Sequence, residues 1–318
     1  MISDVPVDIA PLAVSLEGNR LVIVWPDGHR TVYSGKDIEA LRKADTPDWT
    51  PWDGSFSPQR YAFREFLDDD SVASAAITEF LDKGAVILQQ APTRPGTLEM
   101  LSPRLGPIRE VLFARIHDVQ VDPSGYNVAH TSIALPPHND FASYSWPPSV
   151  QALHMLVNEA RGGESVIVDG WHVLGALRER HPDHFQALCE MPVPFREFDE
   201  DNETYAVAPL LRCDVDGNIV SLRFSNQLMQ TLDPAVPGVG DFYRAYHALC
   251  GLIAADEVQA KFRLDGGDIL IVAAHRVLHG RKAFEPTGQR HLQDAYFELD
   301  NVRNHLVVLK RKGMGIHG

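Results

Sequence analysis

The chain has 318 residues, 44% hydrophobic and 23% charged, the profile of an ordinary globular protein with material for one large core. Its 29 Lys and Arg against 43 Asp and Glu give a formal net charge of -14, which repels phosphate backbones and argues against nucleic acid as a partner. No apolar run approaches the roughly 20 residues of a membrane span, the N-terminus lacks the basic start and apolar core of a signal peptide, and Cys189, Cys213 and Cys250 are too few and scattered for a disulfide framework; a cytoplasmic protein is the expectation.

In chain order, Asn19 to Tyr33 (NRLVIVWPDGHRTVY) alternate about Pro26-Asp27-Gly28 and predict a β-hairpin, followed by a short helix from Asp37 to Lys43. Thr46 to Pro58, rich in Pro, Gly and Trp, reads as a linker, so a small N-terminal β-rich domain is expected at 1–55 and the main domain at 56–318. Helices are predicted at Ser71–Lys83, across Trp171–Cys189 with a break near Pro182, and at Asp241–Ala254. Strands are predicted at Ala85–Gln89, Tyr126–Ala134, Gln151–Val157, Ser165–Val168, Ile219–Phe224, Ile269–Ala274 and Gln293–Leu299. Short strands at irregular spacing with helices set apart point to an α+β fold, a distorted antiparallel barrel or sandwich with flanking helices.

A metal bound on one face with open positions needs three protein ligands, and two His with one carboxylate meet that need. His-x-Asp on a strand suits it, because residues two apart share a side. The triplet occurs twice. His181-Pro182-Asp183 lies in a helical context, where residues two apart do not share a face, and reads as a surface helix break. His138-Asn139-Asp140 follows Leu135-Pro136-Pro137. Far downstream the apolar run Ile269–Ala274 leads to His275-Arg276-Val277-Leu278-His279-Gly280-Arg281, which places a His just beyond a buried strand. Arg290 is a candidate for bidentate pairing with a carboxylate.

The pieces NVAHT, PHND, WPPSVQALH, GGESVIVDG, FSN, GDILI, HRVLHGR and RHLQDAY, between Tyr126 and Tyr296, resemble the γ-butyrobetaine hydroxylase branch of the taurine dioxygenase superfamily in order and spacing. The resemblance implies a double-stranded β-helix (jelly-roll) core with flanking helices, and Fe(II) on His138, Asp140 and His279. It implies that Arg290 pairs with the distal carboxylate of 2-oxoglutarate, with Ser165 and Leu153 beside that co-substrate. The implied reaction consumes O2 and 2-oxoglutarate and hydroxylates a small substrate. A homodimer is left open.

Two departures stand out. Many relatives hold a zinc with three Cys and one His in the N-terminal domain, whereas no cysteine precedes Cys189 here, so that domain must rest on residues such as Leu21, Ile23, Trp25 and Tyr33. The family's aromatic cage for a trimethylammonium group falls on Phe113, His117, His130, Phe141 and Tyr296, so two of its rings are histidines. Asn127 and Asn226 match the positions that hold the substrate's acidic end. The expected substrate is a small acid or zwitterion with an altered cationic end. The alternatives are sulfonate or phosphonate oxidation, desaturation or cyclisation by the same cofactors, or a non-catalytic 2-oxoglutarate-binding protein.

Overall fold

The structure is a computed structural model that describes residues 5–42, 49–112, 114–120, 131–285 and 287–313. The chain divides into two compact units, Met1–Asp48 and Trp49–Gly318. The smaller is a three-stranded antiparallel meander, Ala13–Glu17, Arg20–Val24 and Arg30–Ser34, followed by the helix Gly35–Arg42. Gly28, at φ 83, makes the predicted turn, and Trp25 Nε1 donates to Thr31 Oγ1 across it. Within these strands Val22 is the buried side chain, while Leu21, Ile23 and Tyr33 are only half-buried.

The larger unit is a double-stranded β-helix of two facing sheets. The major sheet runs Gln59–Ala62, Ala85–Gln89, Ile269–Ala273, Val150–Asn158, Arg290–Phe297, His117–Gln120, antiparallel except for its first pair. The minor sheet runs Ala260–Phe262, Ser165–Asp169, Val277–Arg281, Leu135–His138. Period-2 alternation sends Ala85, Ile87, Leu153, Leu270 and Val272 between the sheets. It sends Val86, Leu88, Ala152, Ile271 and Phe297 outward, onto the helices Asp70–Lys83 and Leu299–Gly313. Asp69 caps the first of these by accepting from Ser71 and Val72, and Gly84 ends it at φ 77. The minor sheet's outer side chains Val168 and Leu278 pack on the helices Gly170–Arg180, Pro182–Glu190 and Val239–Ala254.

Several elements differ from expectation. Residues 49–55 belong to the barrel: Trp52 is buried, stacks on Phe56 at 4.3 Å, and donates from Nε1 to the Lys83 carbonyl. Its amide donates to Asp169, whose carboxylate is gripped at 2.8 Å by both Nε and Nη2 of Arg276. Both members of that pair are fully enclosed. Of the strand expected at Tyr126–Ala134, residues 126–130 lie outside the described residues and 131–134 form no strand. Strands Ala13–Glu17, Val193–Phe198, Glu203–Ala208 and Leu211–Cys213 were not foreseen. Among the described residues, no helix is long and apolar enough to cross a membrane.

Candidate active site

His138 ends the edge strand Leu135–His138, where two prolines are tolerated because one side of the strand needs no ladder partner. His279 is the central residue of Val277–Arg281 and is His138's register partner. It lies just beyond the strand Ile269–Ala273, as expected, and within the strand that follows. Their ring centroids are 4.6 Å apart. The close approach needs Gly280: a Cβ there would stand 2.5 Å from the Leu135 carbonyl and 2.9 Å from Pro137 N.

Asp140 does not share the strand with His138; it lies in the turn that follows. Asn139 pins that turn, donating to the Ala274 carbonyl (2.6 Å) and accepting from Phe224 N (2.7 Å). Phe141, buried at φ 52, occupies the left-handed region that non-glycine residues seldom adopt. The turn brings Asp140 Oδ1 to 3.2 Å from His138 Nε2, and Oδ2 to 3.8 Å from His279 Nε2. His138 Nδ1 donates to the Pro136 carbonyl, leaving Nε2 as the free donor atom. Among the described residues these three form the one His, Cys or acidic group whose ligand atoms converge, all within 4.8 Å of one another. Two neutral nitrogens and an anionic oxygen form a donor set that fits Fe(II).

The electrostatics agree. Burial pushes the Asp140 carboxyl upward, but the adjoining His279 and His138 imidazoles, with the hydrogen bond from His138, hold it well below the usual carboxylate range. Burial, against the pull of Asp140, drops His279 to about 4, so it stays neutral. Burial also opposes charge on His138, but its bond to Asp140 raises its pKa overall.

Asp140 Oδ2 accepts from Tyr296 Oη and Gln151 Nε2, each at 2.7 Å. Both groups also reach Asp294 Oδ2, at 2.9 and 3.0 Å. In register Tyr296 lies opposite Gln151 and Asp294 opposite Leu153, so all four side chains share the inner face. Sequence reasoning missed Gln151 and Asp294; the available signal was that Asp294 stands two residues from Tyr296 on a strand.

Beside the triad opens a cavity of 530 Å³. His117, Phe141 and Tyr296, three of the expected substrate positions, line it together with ring centroids 5.0 to 6.2 Å apart. Ala114 N–H donates to His117 Nε2, and His117 Nδ1 stands 3.3 Å from Asp294 Oδ1. Burial disfavours charge on His117, but the contact with Asp294 outweighs it and raises the pKa. Glu197, also on this wall, is pushed up to about 6 by burial and then by the charge of Asp140. Phe113, Asn127 and His130 lie outside the described residues. Asn226 is not brought to this cavity: it accepts from Tyr246 Oη and lines a second cavity, while its neighbours Ser225 and Gln227 line the first.

Arg290 opens its strand opposite Asn158, its guanidinium 5.2 Å over Phe284. Arg281 covers the same ring at 4.9 Å, and Ser165 is Arg281's register partner. Burial, then the charges of Arg281 and Arg263, lower Arg290 to about 10. Its Nε is buried without a hydrogen-bond partner, and among the described residues no carboxylate pairs with it. A half-buried arginine left with its Nε enclosed and unpaired fits the distal carboxylate of 2-oxoglutarate. Leu153 packs in the inter-sheet core with Leu292. His181 is exposed at the junction of two helices, as expected of a chance His-x-Asp.

A double-stranded β-helix on which two imidazoles and a carboxylate converge, and which holds an arginine whose buried Nε has no partner, defines a non-haem iron oxygenase. The chain belongs to the taurine catabolism dioxygenase TauD, TfdA family, whose model matches residues 46–296. It is 32% identical to a γ-butyrobetaine dioxygenase of Pseudomonas sp. (strain AK-1), over 98% of this chain and 84% of that protein. It is 27% identical to the γ-butyrobetaine dioxygenase of Homo sapiens, over 98% of this chain and 85% of that protein. A solved asparagine oxygenase in complex with Fe(II), 2S,3S-3-hydroxyasparagine and succinate shares the fold at TM-score 0.57 and 18% identity, over 72% of this chain and 79% of that one. The chain is an Fe(II)- and 2-oxoglutarate-dependent dioxygenase.

Proposed function

We propose that the chain hydroxylates a small acidic or zwitterionic metabolite that differs from γ-butyrobetaine at its cationic end. In this reading His138, Asp140 and His279 hold the iron, Arg290 takes the distal carboxylate of 2-oxoglutarate, and Ser165 and Leu153 flank it. The observation that carries the reading is the convergence of three ligand atoms within 4.8 Å beside a cavity large enough for a small metabolite. Bound iron and 2-oxoglutarate supply oxygen activation, with 2-oxoglutarate leaving as succinate and carbon dioxide. The protein's own work is positioning. Tyr296 and Gln151 hold Asp140 in one orientation, and His117, Phe141 and Tyr296 wall the substrate end. The altered cationic end follows from His117, and from His130 beyond the described residues, standing where relatives carry cage rings. Asn127 and Asn226 keep their assignment to the acidic end, Asn226 requiring a different side-chain direction from the one it takes here. The unit Met1–Asp48 is then the family's accessory domain without its zinc thiolates, and a homodimer stays open.

The test is succinate release across betaines, amino acids, sulfonates and phosphonates. Release that needs both Fe(II) and one of the zwitterions is the expected result. Stimulation by phosphonates or sulfonates alone would overturn the substrate class.

A further inference from the structure

The cavity is more acidic than holding a metal requires. Asp118, Asp140, Glu197, Asp199 and Asp294 line it, and no Lys or Arg stands among its described lining residues. Three of these carboxylates are occupied. Asp140 belongs to the triad. Asp118 Oδ1 contacts His291 Nε2 (2.5 Å) and accepts from Gln293 (3.0 Å), and Asp199 closes its own turn by accepting from the amides of Asp201 and Asn202.

Asp294 and Glu197 are less fully occupied. Asp294 is 5% exposed; Gln151 and Tyr296 approach its Oδ2, and Oδ1 meets His117 Nδ1 at 3.3 Å, a contact that leaves this oxygen room for a further donor. Glu197 Oε2 is buried on the same wall without a partner. Orphaned acceptors of this kind are costly unless a ligand supplies the donors. His117 offsets at most one of the negative charges. The wall therefore asks for positive charge and for N–H groups together.

We propose that the substrate's cationic end is an ammonium or guanidinium bearing N–H donors, held by Asp294 Oδ1 and Glu197, with the Phe141 and Tyr296 rings alongside. This rests on the function proposed above. A trimethylammonium group satisfies the charge but presents methyls to the orphaned oxygens; a primary amine or guanidinium satisfies both. Asp294 is the specificity-determining residue, since Gln151 and Tyr296 tie its other oxygen to Asp140 and fix its direction.

The experiment is calorimetric titration of anaerobic, Mn(II)-loaded protein, first with 2-oxoglutarate, then with ω-amino acids of increasing chain length, each as the primary amine, the guanidine and the trimethylammonium. Expected is at least about tenfold tighter binding of an N–H-bearing form over its trimethylated counterpart. Asp294→Asn and Glu197→Gln should each weaken that form by about ten- to hundredfold while 2-oxoglutarate binds as before. Equal or tighter binding of the trimethylated series, binding of no member to the 2-oxoglutarate complex, or indifference to both substitutions would overturn the proposal. Failure of 2-oxoglutarate itself to bind would instead overturn the parent reading, and this one with it. Should Asp294→Asn not fold, the wild-type ranking and Glu197→Gln decide.

Discussion

His138 and His279 stand directly opposite one another on adjacent antiparallel strands, and Gly280 sets the spacing that lets both imidazoles reach Asp140. The atoms a Cβ at Gly280 would meet are backbone atoms of Leu135, Pro136 and Pro137, which cannot swing aside as a side chain would. Gly280→Ala should therefore push the edge strand away and cost about 1–3 kcal/mol, mostly at the ligand pair. Iron titration should show a tenfold or greater loss of affinity, by order of magnitude. Unaltered iron binding would mean that something other than Gly280 sets the gap.

Asp140 is the single carboxylate of the converging group. Asp140→Ala should abolish both stoichiometric Fe(II) retention and iron-dependent succinate release. His181→Ala, at an exposed helix junction, should preserve both. Metal analysis of the two purified variants decides; the reverse pattern would relocate the iron to the second His-x-Asp.

Arg290 and Arg281 share one aromatic ring but should behave differently when removed. Arg281 donates to the carbonyls of Ile133 and Thr131, so its replacement should lower Tm. Arg290→Ala should raise the 2-oxoglutarate concentration for half-maximal turnover by roughly a hundredfold, the worth of a bidentate charged pair. Co-substrate titrations of both variants distinguish them, and an unchanged requirement in Arg290→Ala would move the carboxylate elsewhere.

Glu197 makes stability depend on pH in a specific sense. Its pKa is raised from 4.5 to about 6 in the folded chain, so the folded state holds a proton that the unfolded state has lost. The favourable contribution is complete below pH 4.5 and is lost as pH rises through about 6. Glu197→Gln removes the buried charge, so metal-free protein should gain roughly 1 kcal/mol at pH 8, after discounting for partial exposure, and nothing at pH 4.5. Paired thermal melts should show about 2 °C at the higher pH. A gain confined to the acid side would contradict the assignment.

Strands with one clean buried face were legible in the sequence. Ala85–Gln89 appears within its expected limits, and Val150–Asn158 extends its expectation by a residue at each end. Ala13–Glu17 escaped because all five side chains are exposed and no buried alternation marks it. The hairpin Val193–Phe198 with Glu203–Ala208 escaped because its charged residues mask the period. His138, Asp140 and His279 follow from residue type and spacing taken with the family resemblance, but the shared strand expected of the first two is not what joins them: a pinned turn returns Asp140 to His138. Spacing from Tyr296 could have marked Asp294, but not its meeting with Gln151. Their meeting depends on the register of two strands well over a hundred residues apart in sequence, which no local pattern encodes.

The Asp169–Arg276 pair has a practical consequence for exchanging parts between relatives. Arg276 also donates to the carbonyls of Thr50 (2.9 Å) and Asp82 (2.7 Å) and sits 5.0 Å over the Trp49 ring, three residues before His279. The seam for recombination therefore falls at Asp48, where composition alone had put it after Ser55. A chimera joined at residue 56 places another chain's segment where Trp49, the Thr50 carbonyl and the Trp52 amide meet this pair. Any of these contacts that the new segment fails to remake costs about 1–3 kcal/mol, enough to loosen the strand that delivers His279. A chimera joined at residue 49 keeps Trp49, Thr50 and Trp52 with the guanidinium and carboxylate they serve.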